Sequence, residues 1–492
     1  MTGNVWVVLP LACLAGGAFA VYLVARLLTR RNDLLAMLTA LIFATALGAL
    51  ASLFGLTGGG HLPTWGHFGP GGAFLRADPG ALVVGGVALG LGLLVALYSG
   101  HYLALDRRYE TYYPLLLLLV AGLVGMVLAA DLFNLYMFCE LMSVAAYVLV
   151  AFRRLDTAIE AGFKYLVMGS VGTVTILMGI SFVYRETGTL ALPQAVGAPG
   201  PWTRAGMGCF LVGLGVKSAI VPLHTWLPDA HGWAPSSISA MLSGIVVQSV
   251  FYALLKVCLG LGFPARDLGG LLIVLSLFNM TLGNGLALVQ THTKRLLAYS
   301  TIAQLGYIML SLGIGLRYAV PTAIQTGFFL LLAHAAMKGL AFLCQGACYF
   351  YCDATTINQL RGTAARMPLV AGAFTVALAG LAGIPPLAGF AGKWFVLSGG
   401  VQAADAPGYL GLIVFLLNSL LALGYYLPLI GMLFARKTSE VSETSEVSIQ
   451  ISPWMALPLV VLGALVLAMG LYPGLWLNWT AEAAAYLHRL GK

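Results

Sequence analysis

Charge is what this sequence has least of. Only 9% of its 492 residues are charged, against 60% hydrophobic, and the mean hydropathy is +0.93. A water-soluble chain of this length would lack the polar side chains to cover its surface, so that class is excluded. Acidic residues are scarcer still, 17 against 25 Lys and Arg. The basic residues are scattered over short loops, so the net charge of +8 does not mark a nucleic-acid partner. Cysteine is sparse and shows no disulfide framework: Cys13, Cys139, Cys209, Cys258 and Cys344 fall inside apolar runs, with Cys348 and Cys352 at a helix end. Cys344, Cys348 and Cys352 recur every four residues. That stacks them along one helix face, an arrangement for packing rather than for a tetrahedral metal.

What is present is hydrocarbon-compatible sequence. Apolar runs of eighteen or more residues recur from end to end, the mark of an all-α polytopic membrane protein. Hydropathy and turn residues predict about fourteen transmembrane helices: 4–25, 34–54, 80–100, 112–130, 132–152, 162–184, 205–223, 236–260, 267–290, 295–316, 321–350, 368–402, 408–434 and 454–475. The first run is too long for a signal-peptide core and is read as a span. Loops after odd-numbered spans carry thirteen Lys and Arg, the opposite side seven. The positive-inside rule then places both termini outside. No soluble domain is expected, and TSEVSETSEVS (438–448) reads as a polar cytoplasmic connector.

Against that background, charges inside spans stand out. A charge at the bilayer centre costs roughly 2.5–3.5 kcal/mol on translocon scales. Glu140, in DLFNLYMFCELMSVAAYVLV (131–150), is the one carboxylate expected deep in a span, and Asp131 is expected to start that helix. Lysines 164, 217, 256, 338 and 393 also fall within spans. Lys164 follows Glu160 by one turn near a helix end, where an interfacial ion pair is the competing account. Lys256 is six residues from the Gly262 turn and is expected to snorkel outward. Lys217, Lys338 and Lys393 lie beyond snorkelling reach, and His334 shares a face with Lys338. Burial favours the neutral form of a lysine, so such a row can take up and release protons. One carboxylate cannot neutralise three lysines, which argues against pairing for assembly alone.

Two of these lysines sit beside proline-broken segments. GLGVKSAIVPLHTWLPDAHGWAPSS places Pro222 five residues after Lys217; LAGIPPLAGFAGKWF places Pro385 and Pro386 before Lys393. Backbone groups freed by proline are tolerated at membrane depth only against protein or a wet cavity. One broken helix in each half predicts two inverted five-helix repeats, helices four to eight (112–262) and nine to thirteen (266–434). Three helices precede them (1–111), and a loop and final helix follow (435–492).

DLFNLYMFCELM, FKYLVMGSVGT, GVKSAIVPLHTWLPDAHGWAPSSISA, TKRLLAYSTIAQLGY, HAAMKGLAFLCQG and GIPPLAGFAGKW resemble the antiporter-like subunits shared by respiratory complex I, membrane-bound hydrogenases and Mrp-type cation/proton antiporters. The Mrp D type looks most similar, through its lysine after histidine in helix eleven and lysine after GIPP. The resemblance implies a proton-transfer axis of Glu140, Lys217, Lys338, His334 and Lys393, with Glu140 and Lys217 a pair whose separation changes the lysine's proton affinity. It also implies no cofactor and no metal, and membrane-subunit partners in a bacterial or archaeal cell membrane. Secondary candidates are Lys164, Lys256, Gln248 and Gln304, with His224, Asp229 and His231 from the first broken segment. Gln248 stands where relatives carry lysine and Gln304 where many carry histidine; glutamine cannot exchange a proton near neutral pH, though its amide orders water.

The leading expectation is therefore a proton-translocating subunit of the Mrp D kind. The alternative is the equivalent subunit of a redox-driven complex, a membrane-bound hydrogenase or complex I relative. A third is a non-conducting scaffold. If sodium moves, it is expected to cross elsewhere in the assembly, because a lysine-rich axis repels cations.

Overall fold

The computed structural model describes every residue except 1–3, 28–30, 55, 57–61, 67–73, 105, 107, 193–198, 404, 436–447 and 492. The connector at 438–448 thus lies, but for its last residue, outside the described residues, as do Arg436 and Lys437. The fold is all-α, with twelve helices among the described residues long and apolar enough to cross a membrane. They are α1 (Leu9–Leu27), α2 (Asn32–Phe54), α3 (Pro79–Tyr102), α4 (Tyr109–Leu128), α5 (Leu132–Val150), α6 (Asp156–Thr187), α9 (Ser236–Gly260), α10 (Ala265–Leu288), α11 (Thr293–Arg317), α12 (Pro321–Cys352), α15 (Ala406–Phe434) and α16 (Pro453–Leu471). The other two expected spans are the broken ones. One is α7 (Pro201–Lys217) followed by α8 (Trp226–Trp233). The other is α13 (Pro368–Ala382) followed by α14 (Ala388–Gly400).

The breaks fall where proline removes donors. α7 stops at Lys217 itself, with Ala219 at φ 53 turning the chain toward Pro222. α13 stops at Ala382 because Gly383 takes φ 88, a conformation open to glycine, and Pro385 and Pro386 follow. The innermost layer is α9, α11 and α12, whose hydrophobic windows are 94 to 100% buried; α1, α6, α10 and α15 present far more of themselves to the surroundings. Burial on all sides is why α9, α11 and α12 can carry the polar residues that a lipid-facing helix could not.

Glycine sets the helix spacing. Gly172 and Gly179 on α6 face Gly213 and Gly206 on α7, and a Cβ on Gly172 would meet the Gly213 carbonyl oxygen at 2.9 Å. Gly313 on α11 faces Gly269 on α10 likewise, and a Cβ on Gly313 would meet the Gly269 carbonyl oxygen at 2.9 Å. Lipid offers no hydrophobic drive between helices, so close backbone contact through small residues at seven-residue spacing is what joins them.

Hydropathy ends the last span at 475. The structure instead ends α16 at Leu471 and uses Pro473 to start an extra helix, α17 (Pro473–Leu490). This helix lies across one end of the bundle, where Trp479 packs on Phe54 at the end of α2 and Gln325 donates to the Leu477 carbonyl. A two-stranded hairpin, β1 (Thr64–Trp65) with β2 (Leu75–Arg76), closes the same end, and Asn4 N donates to Thr64 O at 2.9 Å. Both chain ends therefore lie at one end of the bundle.

Candidate functional site

Glu140 and Lys217 meet. Lys217, the last residue of α7, donates to Glu140 Oε1 at 2.9 Å and to Ser143 Oγ at 2.7 Å. Ser143 lies one turn after Glu140 on α5, and its own hydroxyl donates to Cys139 O. The Thr173 hydroxyl, from α6, donates to the same Glu140 oxygen. The lysine is 3% exposed while the carboxylate keeps 29% of its side-chain surface. Glu140 shares its face of α5 with the exposed Phe133, Met137, Val144 and Val148, so the pair sits at the edge of the subunit. Asp131 caps α5 by accepting from Asn134 N at 2.8 Å, a helix-start carboxylate as expected from sequence.

Lys338 lies at the centre of the molecule on α12, fully buried. Its ammonium donates to Leu297 O at 2.7 Å and to the Ser300 hydroxyl on α11. No carboxylate lies within ion-pair distance of it among the described residues, so only neutral oxygens hold it. One turn earlier, His334 Nε2 faces Ser243 O on α9 at 3.1 Å. That carbonyl belongs to a π-helical stretch, Leu242–Val246, whose wider turn presents it. With its amide turned to satisfy both ends, Gln248 accepts from the same His334 nitrogen at 3.1 Å. Gln248 therefore stands in the row as a partner of His334, and His334 Nδ1 is left buried without a partner.

Lys393, on α14, donates to Ala382 O at 2.8 Å, the final carbonyl of α13. The negative end of a helix dipole thus faces its ammonium. The same lysine lies 5.3 Å from the centre of the Tyr307 ring. Gln304, one turn before Tyr307 on α11, donates to Leu381 O at 3.1 Å. Between Lys338 and Lys393 the polar face of α11 thus runs Ser300, Gln304, Tyr307. Beside it the buried Tyr426 hydroxyl from α15 lies in the neighbourhood of Ser300 and Gln304.

The remaining candidates sort differently. Lys164 is half exposed and holds Glu160 at 2.8 Å and Asp229 at 3.2 Å, while Arg295 reaches Asp229 at 3.3 Å. This is a surface network, apart from the buried row. Lys256 does not snorkel. It is 4% exposed and donates to Asp78 Oδ2 at 2.7 Å and Val127 O at 2.9 Å. Asp78 caps α3, accepts also from Tyr252 and is 0% exposed, so Glu140 is not the one carboxylate taken into the bundle and is less buried than Asp78 or Asp131. Hydropathy places Asp78 in a loop because its nearest span starts two residues later. His224 lies within the α7–α8 break. His231, on α8, is fully buried against Phe342 with both ring nitrogens unpartnered. Sequence reasoning misses Lys294, counted as a loop residue but 8% exposed, with its ammonium on Ala234 O at 2.7 Å. It also misses Ser143, Thr173 and Ser300; the signal for Ser143 is a hydroxyl three residues after Glu140.

Residues 129–422 match the family model described as NADH:quinone oxidoreductase/Mrp antiporter, TM. The chain is 33% identical to NADH-quinone oxidoreductase subunit N 2 of Symbiobacterium thermophilum, covering 85% of this chain and 84% of the relative. It is 34% identical to F(420)H(2) dehydrogenase subunit N of Methanosarcina mazei, covering 82% of each. Among solved structures, a chain of the membrane-bound sulfane sulfur reductase, an archaeal respiratory membrane complex, superimposes with TM-score 0.87 at 26% identity over 98% of both chains. A chain of respiratory complex I from Thermus thermophilus gives 0.77 at 30% identity, over 95% of this chain and 98% of that one. A chain of the Mrp complex from Dietzia gives 0.84 at 24%, over 98% and 100%, a likeness of fold. This multi-pass membrane protein belongs to the NADH:quinone oxidoreductase/Mrp antiporter transmembrane family, the antiporter-like subunits.

Proposed function

We propose that this chain is a proton-translocating subunit of a redox-driven membrane complex, the counterpart of subunit N in a bacterial or archaeal quinone- or F420-linked dehydrogenase. The observation that carries the proton reading is the ion pair between Glu140 and Lys217, set beside the buried Lys338 and the half-buried Lys393, which have no carboxylate in reach among the described residues. The redox reading is favoured over the Mrp D reading by the relatives, which carry subunit N names at 31–34% identity. In this reading Lys217, Lys338 and Lys393 exchange protons, His334 and Gln248 order the path into Lys338, and Gln304 and Tyr307 order it between Lys338 and Lys393. The two five-helix units, 112–262 and 266–434, each supply one broken helix with its lysine. Moving one charge through 100 mV takes about 2.3 kcal/mol. Opening and closing one half-buried ion pair is on that scale, so Glu140–Lys217 can serve as the coupling switch.

The test is proton translocation by the purified complex in proteoliposomes. Glu140→Gln keeps a hydrogen bond to Lys217 and removes the charge; Lys217→Ala removes the other partner. Both are expected to assemble and to lose proton translocation while partner subunits and bound redox groups co-purify. Full translocation in both variants would overturn the switch, and co-purification of cation-antiporter subunits without redox groups would overturn the redox assignment.

A further inference from the structure

We propose that Tyr147 is the gate through which protons reach Lys217 from the arginine-rich end of the bundle. A crevice of about 580 Å³ opens between α4, α5 and α6. Arg108 and Arg154 stand at its mouth, and Thr111, Phe152 and Phe163 are among its walls. Tyr147 also lines it, yet Tyr147 is only 7% exposed and its hydroxyl oxygen is fully buried. The residue is therefore the partition: its ring meets the crevice and its hydroxyl lies on the inner side.

Its place on the helix fixes what is on that inner side. Tyr147 follows Ser143 by one turn and Glu140 by two, and a helical side chain leans toward the N-terminus of its helix. The hydroxyl thus comes to Ser143 and Lys217, and it presses on Gly169 of α6, where a Cβ would collide with it. The ring is held from the other side. Tyr165 packs on it edge-to-face at 4.6 Å, Trp226 stacks on Tyr165 at 4.0 Å, and the Trp226 indole donates to Val216 O at 2.8 Å, next to Lys217.

Packing alone asks for a phenylalanine here. A buried hydroxyl that lies beside Ser143 without a well-formed hydrogen bond is uncommon and calls for a reason. One is to hand. When Lys217 is neutral, its nitrogen takes the hydroxyl proton through Ser143; the ring then turns its oxygen to the crevice, where a hydronium ion returns a proton and is left as water. One proton enters, one leaves, and the tyrosine ends as it began. This rests on the proton role given to Lys217 above.

The test uses the whole complex in proteoliposomes. Tyr147→Phe keeps the ring and deletes the hydroxyl, and should slow proton translocation at least about tenfold with assembly unchanged. Tyr147→Ala removes the partition, so water reaches Lys217 and translocation or leak should exceed that of Tyr147→Phe. Native Cys139, 1% exposed and one turn before Ser143, reports the opening. A charged methanethiosulfonate should modify it in Tyr147→Ala and leave it intact in the wild type and Tyr147→Phe. A purely structural tyrosine predicts the reverse order, with Phe harmless and Ala worst. Wild-type rates in Tyr147→Phe, or a Cys139 still protected in Tyr147→Ala, would overturn the gate. If Glu140→Gln and Lys217→Ala are also active, it is the proton role itself that fails.

Discussion

Lys256 and Asp78 are joined across 178 positions of sequence by a contact of 2.7 Å. Asp78 also accepts from Ala81 N and Tyr252, and Lys256 gives a second proton to Val127 O. Such a closed set behaves as a structural pin between α3, α4 and α9. Lys256→Met or Asp78→Leu alone strands the opposite charge and should cost about 3–5 kcal/mol. The double variant should recover a large part of that loss. Thermal unfolding of the purified complex measures both, and a double variant as unstable as the sum of the singles would contradict the pin. A second test at this scale is Gly169→Ala. Its methyl group would collide with the Tyr147 hydroxyl, and overpacking of this kind costs about 1–3 kcal/mol. A wild-type melting curve would show that the tyrosine has room to move. Residue by residue, legibility follows distance. Glu140, Lys217, Lys338 and Lys393 declare themselves by standing in hydrocarbon. Lys256 is misread from sequence because its partner lies in a segment that hydropathy scores as loop.

Helices α6 and α7, like α10 and α11, are set close by glycines that meet backbone. A Cβ on Gly213 would reach the Gly172 carbonyl oxygen at 2.6 Å, and that atom cannot swing aside as a side chain can. Gly213→Val should therefore push α7 outward, move Lys217 away from Glu140, and lower both the melting midpoint and proton translocation. Loss of stability with translocation intact would separate the spacing from the switch. At the start of α15, the Tyr318 hydroxyl and then the Arg317 guanidinium hold the Asp405 carboxyl down at about 2. Its pKa in the folded chain lies below the unfolded value of about 3.9, so the folded state binds the proton less readily. This contribution is complete above about pH 4 and is lost as pH falls toward 2. Asp405→Asn should flatten that part of the acid-stability profile, measured by unfolding between pH 2 and 5, and an unchanged slope would contradict it. The two broken helices are legible as elements, since proline and glycine punctuate them. The π-helical turn in α9 is not, because nothing in LSGIV distinguishes it from an ordinary apolar turn.

For the whole molecule, both chain ends and α17 gather at one end of the bundle, with the Arg153–Arg154 turn among the residues that line the opposite crevices. By the positive-inside rule, the expectation is that the termini lie outside. Protease added to intact spheroplasts should then remove tags from both ends, while a cleavage site inserted after Arg154 stays protected. Cleavage of the inserted site with intact terminal tags would invert the orientation, and with it the side from which the Tyr147 crevice draws protons.

The sequence by itself determined that the chain lives in a membrane, roughly where it crosses, and which side chains are too costly to be there without purpose. Those are local quantities: hydropathy summed over a window, and the cost of a charge at a given depth. Beyond the Glu140–Lys217 pair that the family resemblance implies, tertiary structure alone decided which groups meet. It gave Lys256 to Asp78, left Lys338 on neutral oxygens, and placed Gln248 against His334. Each of these depends on crossings between helices far apart in the chain, where a shift of one turn would exchange one partner for another.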